Sequence, residues 1–183
     1  MKIELIIIKG EYEEDIIKEI AQSLLSSFNA ESRITVLDED PPRDAYSVRR
    51  AQYNASRLLA WVLKYRLSVD SYMLGLLDYD AFVEGLNFVF GIANPFYKVA
   101  LVFTYRLHST DRGLYKERIK KEVFHEFGHL LGLRHCDNRR CVMSFSDSIF
   151  DTDYKSWRYC EKCIIALKQG GIEVNEDAIA LKD

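Results

Sequence analysis

The sequence predicts an α/β fold, a β-sheet layered with helices, that carries its chemistry on a late helix. Three observations point to it. Apolar, β-branched runs alternate with helical periodicity through the first part of the chain, in the order strand, helix, strand, helix, strand. Residues 115–133 keep helical spacing and contain His125-Glu126-Phe127-Gly128-His129. All four cysteines lie beyond that helix, at Cys136, Cys141, Cys160 and Cys163.

Residues 2–9 are apolar and β-branched apart from Glu4, and end at Gly10, as a buried strand does. Residues 13–27 place Ile16, Ile17, Ile20, Leu24 and Leu25 at helical spacing behind an acidic first turn. Residues 33–37 read as a short second strand, broken by Asp38-Glu39-Asp40 and Pro41-Pro42. The acidic triplet has the chemistry of a cation site, but a solvated loop is the simpler reading. Residues 45–65 return to helical periodicity, with Val48, Leu58, Leu59, Val62 and Leu63 as core contacts. Tyr72–Leu77 is a third strand ending in the turn Asp78-Tyr79-Asp80.

Residues 86–92 and 99–107 are two further β runs around the Asn94-Pro95 turn. They are expected side by side, one of them near a sheet edge beside the active site. Such an edge can take an extended peptide as an added strand. His108 follows in a polar loop and is read as a loop residue, outside any metal site. The active-site helix over residues 115–133 buries Ile119, Val123, Phe127, Leu130 and Leu131, leaving His125 and His129 to face a cleft. Residues 146–153 read as a polar loop and 157–169 as a terminal helix, followed by a polar tail.

With 183 residues, 48% hydrophobic and 29% charged, the chain suits one globular domain over 1–183. Within it, a sheet-bearing N-terminal subdomain is expected to about residue 132, and a smaller C-terminal subdomain over 133–183. The formal net charge of −3 gives no electrostatic ground for nucleic acid or an anionic membrane as partner. The first apolar run is too short for a signal-peptide core, and no segment approaches transmembrane length. A cytoplasmic monomer is the expectation.

The pattern H-E-x-x-H-x-x-G-x-x-H from His125 to His135 holds three of the four histidines. One helical turn apart, His125 and His129 project from the same face, within reach of one zinc ion at about 2.0 Å. Gly132 ends the helix in a conformation that other residues avoid, which lets the chain turn and bring up His135 as third ligand. Glu126, beside the first ligand, can take a proton from a water on the metal. Met143, just beyond the third histidine, reads as a thioether floor beneath the site.

The cysteines form two pairs, Cys136 with Cys141 and Cys160-Glu161-Lys162-Cys163. In that arrangement four thiolates close a tetrahedron around a structural zinc. Two disulfides are the alternative, but no export signal supports them. A thioredoxin-like role for the second pair lacks the strand-then-helix setting it needs.

The extended histidine motif with Met143 resembles the metzincin clan of zinc peptidases, and the four cysteines narrow the resemblance to the archaemetzincins. Residues 85–91, Arg106-Leu107 and Phe145-Ser146 also resemble sequence of that family. The resemblance implies a twisted mixed sheet backed by helices, an active-site helix and a small C-terminal part with a Met-turn. It implies two zincs, one catalytic on His125, His129 and His135, one structural on Cys136, Cys141, Cys160 and Cys163. Some metzincins add a tyrosine ligand two residues past the methionine; this chain has Phe145 there and no such ligand.

The expected function is hydrolysis of peptides or small proteins, with endopeptidase and aminopeptidase action both open. An aminopeptidase would need an acidic anchor near the cleft, for which Asp78, Asp147 and Asp151 are candidates. The alternatives are a non-catalytic zinc protein binding a peptide or protein partner in the same cleft, and a zinc hydrolase for another acyl substrate. Glu126 favours the enzyme readings, since a binding module has no chemical need for that carboxylate.

Overall fold

Five strands in the order β2-β1-β5-β8-β7 form the main sheet of the computed structural model, which describes residues 1–8 and 14–181. Lys9, Gly10 and Glu13, where the sequence sets the end of the first strand and the start of the first helix, lie outside the described residues. β1 (Lys2–Ile8), β2 (Glu31–Leu37), β5 (Tyr72–Leu77) and β8 (Val99–Phe103) run parallel, and β7 (Gly91–Asn94) returns antiparallel to β8 at the sheet edge. A small second sheet holds β3 (Tyr46–Ser47), β4 (Gln52–Asn54) and β6 (Ala81–Phe82).

Alternation along the central strands sorts side chains into two cores. Ile3, Leu5 and Ile7 of β1, with Leu74, Leu76, Ala100 and Val102, face the helices α1 (Glu14–Phe28) and α3 (Arg112–Leu130). Ile6 and Ile8, with Met73, Leu77, Leu101 and Phe103, face α2 (Ala55–Val62). Helices on both faces explain why these parallel strands read as nearly continuous apolar runs. Glu4, the one acid in β1, is buried and satisfied: its carboxylate accepts from the backbone N–H groups of Leu67 and Ser68, each at 2.9 Å, and from the Ser71 hydroxyl.

The helix expected over residues 45–65 is shorter. Residues 46–54 form β3, a turn and β4, and α2 starts only at Ala55. Asn54 caps it, its side-chain oxygen accepting from Arg57 N–H at 3.1 Å. Leu58, Leu59 and Val62 are buried as expected, whereas Val48 lies on the turn and is 85% exposed. Leu25 of α1 is also exposed. Replacing Asn54 with Ala is expected to cost about 1 kcal/mol, read as a lower urea midpoint at unchanged slope.

The two β runs after residue 85 are adjacent but shorter than the apolar pattern suggests. Residues 86–90 are irregular apart from a bridge between Val89 and Ala81, and the second strand stops at Phe103 before a 3₁₀ turn at Tyr105–Leu107. In the C-terminal part the helix expected over 157–169 is α5 (Glu161–Gln169), beginning where Cys160 is the N-cap. The supposed polar loop contains α4 (Ile149–Tyr154), started by a Ser148–Asp151 capping box, and the tail contains the short α6 (Glu176–Ile179). No helix among the described residues is long and apolar enough to cross a membrane.

Candidate active site and metal centres

α3 is capped by Asp111, whose carboxylate accepts from Leu114 N–H at 3.1 Å, and packs against β7 and β8. Its end is a Schellman turn: Leu133 N–H donates to Gly128 O at 2.9 Å and Gly132 N–H to His129 O at 3.0 Å. Gly132 sits at φ +93°, where a side chain would be strained. The chain reverses there and carries His135 back to the other two histidines.

His125, His129 and His135 can each offer a nitrogen to one point, the three atoms lying within 4.8 Å of one another. Nδ1 of His125 donates to Val142 O at 2.7 Å, and Nδ1 of His129 to Leu133 O at 2.8 Å. Both rings are thereby fixed in the tautomer whose Nε2 lone pair is free for a metal. The two Nε2 atoms are 3.2 Å apart. A tetrahedral site with metal–nitrogen bonds of about 2.0 Å has edges of about 3.3 Å. Burial lowers the pKa of all three imidazoles, most strongly for His125, where the Lys155 ammonium adds to the effect. Low pKa values keep the rings neutral, as ligation requires.

The four cysteines form the second cluster, their sulfur atoms also within 4.8 Å of one another. Cys136 and Cys160 are 3.6 Å apart and Cys141 and Cys163 3.7 Å apart, too long for disulfides, and all four are free. A tetrahedron with metal–sulfur bonds of about 2.3 Å has edges of about 3.8 Å. The thiols are poised unequally. Hydrogen bonding from Cys163 draws Cys141 down to about 6, while burial pushes Cys160 up to about 11. Cys163, hydrogen-bonded to Cys141 and buried, is raised further. Four close thiols cannot all ionise alone, and a bound cation removes that obstacle. The two clusters suggest two metal sites. They share a stretch of backbone, because His135 and Cys136 are consecutive and Cys136 N–H donates to Met143 O at 2.9 Å.

Glu126 is 5% exposed and lines a cleft of about 660 Å³ together with the three histidines. Burial raises its pKa well above the usual carboxylate range, Glu122 pushes the same way, and Lys155 opposes them. Two glycines make room for this arrangement. A Cβ on Gly91 of β7 would lie 2.4 Å from Glu126 Oε1, and one on Gly128 2.4 Å from Met143 Sδ. Met143 is therefore packed directly beneath the helix turn between His125 and His129, with its exposure at zero. Gly91→Ala is expected to displace the Glu126 carboxylate and to lower activity at least tenfold with both metals retained. Metal content measured beside the cleavage rate checks this.

His108 stays outside: its Nε2 lies 2.9 Å from Asp78 Oδ1 and its ring stacks on Tyr115. Reading the sequence missed Gly91, Gly128, Glu122 and Lys155. For Glu122 the signal was present, since it stands one turn before Glu126 on the same helix. For Lys155 there was none.

The chain resembles known proteins in both sequence and fold. Residues 32–169 match the peptidase family M54. An archaemetzincin of Methanocaldococcus jannaschii is 44% identical over 142 residues, covering 74% of this chain and 77% of the relative. One of Pyrococcus abyssi is 40% identical over 172 residues, covering 87% and 91%. The crystal structure of the Methanopyrus kandleri archaemetzincin superposes with a TM-score of 0.83 at 36% identity, over 93% of this chain and 94% of that one. The mixed α/β fold is that of the archaemetzincin structures, and the chain belongs to peptidase family M54, the archaemetzincin metallopeptidases.

Proposed function

We propose that the chain hydrolyses peptide bonds of peptides or small proteins, with Glu126 as general base beside a zinc ion held by His125, His129 and His135. The observation that carries this reading is the shared cleft: a buried carboxylate lines it together with three imidazoles whose nitrogens converge on one point. A zinc ion bound there supplies a Lewis acid that polarises the scissile carbonyl and acidifies a water. Glu126 accepts the proton of the attacking water and returns it to the amine as the carbon–nitrogen bond breaks. A second zinc on Cys136, Cys141, Cys160 and Cys163 is structural, since all four positions are filled by protein ligands.

β7 is one of the two outer strands of the sheet, and its Gly91, Ile92 and Ala93 line the cleft. An extended substrate backbone pairing with that edge would lie across the histidine cluster. Four thiols kept as metal ligands suit the reducing cytoplasm.

The test is cleavage of a peptide library by zinc-loaded protein, with a chelated sample alongside. Loss of cleavage on chelation supports the peptidase. Silence from the fully loaded protein would turn the reading to a zinc protein that binds a partner in the same cleft.

One observation favours aminopeptidase action as a second reading. Asp78 is occupied by Thr104 and His108, and Asp151 by the α4 cap, whereas Asp147 lines the cleft. An anchor for a substrate amine would be Asp147. Asp147→Asn should then raise KM about tenfold for peptides with a free amine and leave N-acetylated ones unchanged. Equal effects on both would remove this reading.

A further inference from the structure

Beside the histidine cluster lie two buried charges to which the proposed reaction gives no step of their own. The side chains of Lys155 and Glu122 are 1% and 3% exposed, with Nζ 3.0 Å from Oε1. Attraction within a buried ion pair does little more than offset the cost of taking both charges out of water, so stability alone is a weak reason for one.

The placement of this pair is more informative. Glu122 stands on α3 one turn before Glu126, and Lys155 is the first residue after α4. The Lys155 ammonium also reaches the carbonyl of Ser144, next to Met143, at 3.4 Å. It lies 3.5 Å from Nδ1 of His125. Nδ1 is the ring edge turned to Val142 O, so the ammonium sits behind His125, away from the Nε2 that faces the cluster. Lys155 and Glu122 both border the cleft, with their side chains almost wholly buried.

α4 is anchored to α3 by further contacts, one of them to the same carboxylate. Arg118 holds the Asp153 carboxylate with two bonds of 2.6 Å, Lys121 donates to Asp153 O at 3.1 Å, and Thr152 donates to Glu122 Oε1 at 3.2 Å. A rigid helix thus presents one lysine to the active-site helix and to the methionine segment together.

We propose that Lys155 is a positioning residue of the catalytic centre: bonded to Glu122 and the Ser144 carbonyl, it makes α4 a strut that fixes the His125–Glu126 turn against the Met143 segment. This rests on the reading that the three histidines hold the catalytic metal. Residues that orient metal ligands from behind are typically worth about 10- to 100-fold in activity or metal affinity.

The test uses Lys155→Met and the double variant Lys155→Met/Glu122→Met, which replaces the pair with apolar chains of similar length. Three readouts are taken: thermal unfolding, kcat and KM on a cleaved peptide, and the visible absorption of cobalt at the histidines with zinc left on the cysteines. Lys155→Met strands the Glu122 carboxylate and is expected to lower Tm; the double variant should recover it. If Lys155 positions the centre, the double variant keeps kcat about 10- to 100-fold down at a KM within about twofold, with altered cobalt bands. Recovery of both kcat and the cobalt spectrum along with Tm would make the pair purely structural and overturn the proposal. Should the single variant fail to fold, the double variant alone decides. The cobalt bands need no turnover, so they remain decisive if no peptide is cleaved. Failure of the unaltered protein to bind cobalt at the histidines would instead overturn the metal reading beneath it.

Discussion

Glu126→Gln is expected to lower peptide cleavage by roughly 10²- to 10⁴-fold while the protein keeps its metals and its fold, the range typical for removing a positioned general base. Glutamine has the shape of glutamate and fits the same space beside Gly91, where little freedom exists to move. What it lacks is the ability to take a proton. Burial first, and the neighbouring Glu122 second, raise the pKa of Glu126 well above the ordinary carboxylate value. A dication held by the neighbouring histidines draws that pKa back down and favours the carboxylate that takes a proton from water. Cleavage by matched, zinc-loaded samples is the measurement, with metal content determined on each. An unchanged rate in Glu126→Gln would assign the base elsewhere, or the activity to a contaminant.

The second large effect is expected at the other cluster. Cys160→Ser should release the zinc proposed for the cysteines, lower Tm and weaken zinc binding at the histidines at least tenfold. Cys160 is the N-cap of α5 and lies 3.6 Å from Cys136. Cys136 follows His135 directly and is tied to Met143 O. When the thiolate cluster opens, the segment carrying the third imidazole loses its anchor. Structural zinc sites contribute binding free energies of about 10 kcal/mol or more in small domains, so little of this segment's order is expected to survive without the metal. Zinc affinity of the histidines, measured by competition with a chelator, is the readout that matters. Unaltered affinity with the cysteine zinc gone would show that the two centres are independent.

Much of the site could be read from residue spacing because its parts are local. His125, His129, Gly132 and His135 lie within one helix end and one turn, where geometry follows from the backbone. The strand Tyr72–Leu77 carries the bounds its apolar run suggests, since it is buried on both faces. Elsewhere hydrophobicity misled. Val48 is apolar yet exposed, and the helical spacing that includes Leu58, Leu59 and Val62 suggests a start near Ala45, whereas the helix begins only after its cap Asn54. α4 is only six residues long, and its one signal is the Ser148–Asp151 spacing. The Lys155–Glu122 pair joins residues far apart in the chain, and nothing in either neighbourhood foretells that they meet. Gly91 belongs to the same class, because its reason is a carboxylate on another element.

The short edge strand β7 has a consequence for what the enzyme leaves alone. A folded protein has its backbone donors and acceptors already engaged and cannot spare an extended stretch to lie in a trough against β7. Only chains that are unfolded, frayed or already cut have such a stretch to offer. If substrates enter by pairing with that edge, selection falls on the conformational state of the target more than on its sequence. The surrounding population of native proteins is then protected by its own folding, with no inhibitor or compartment needed.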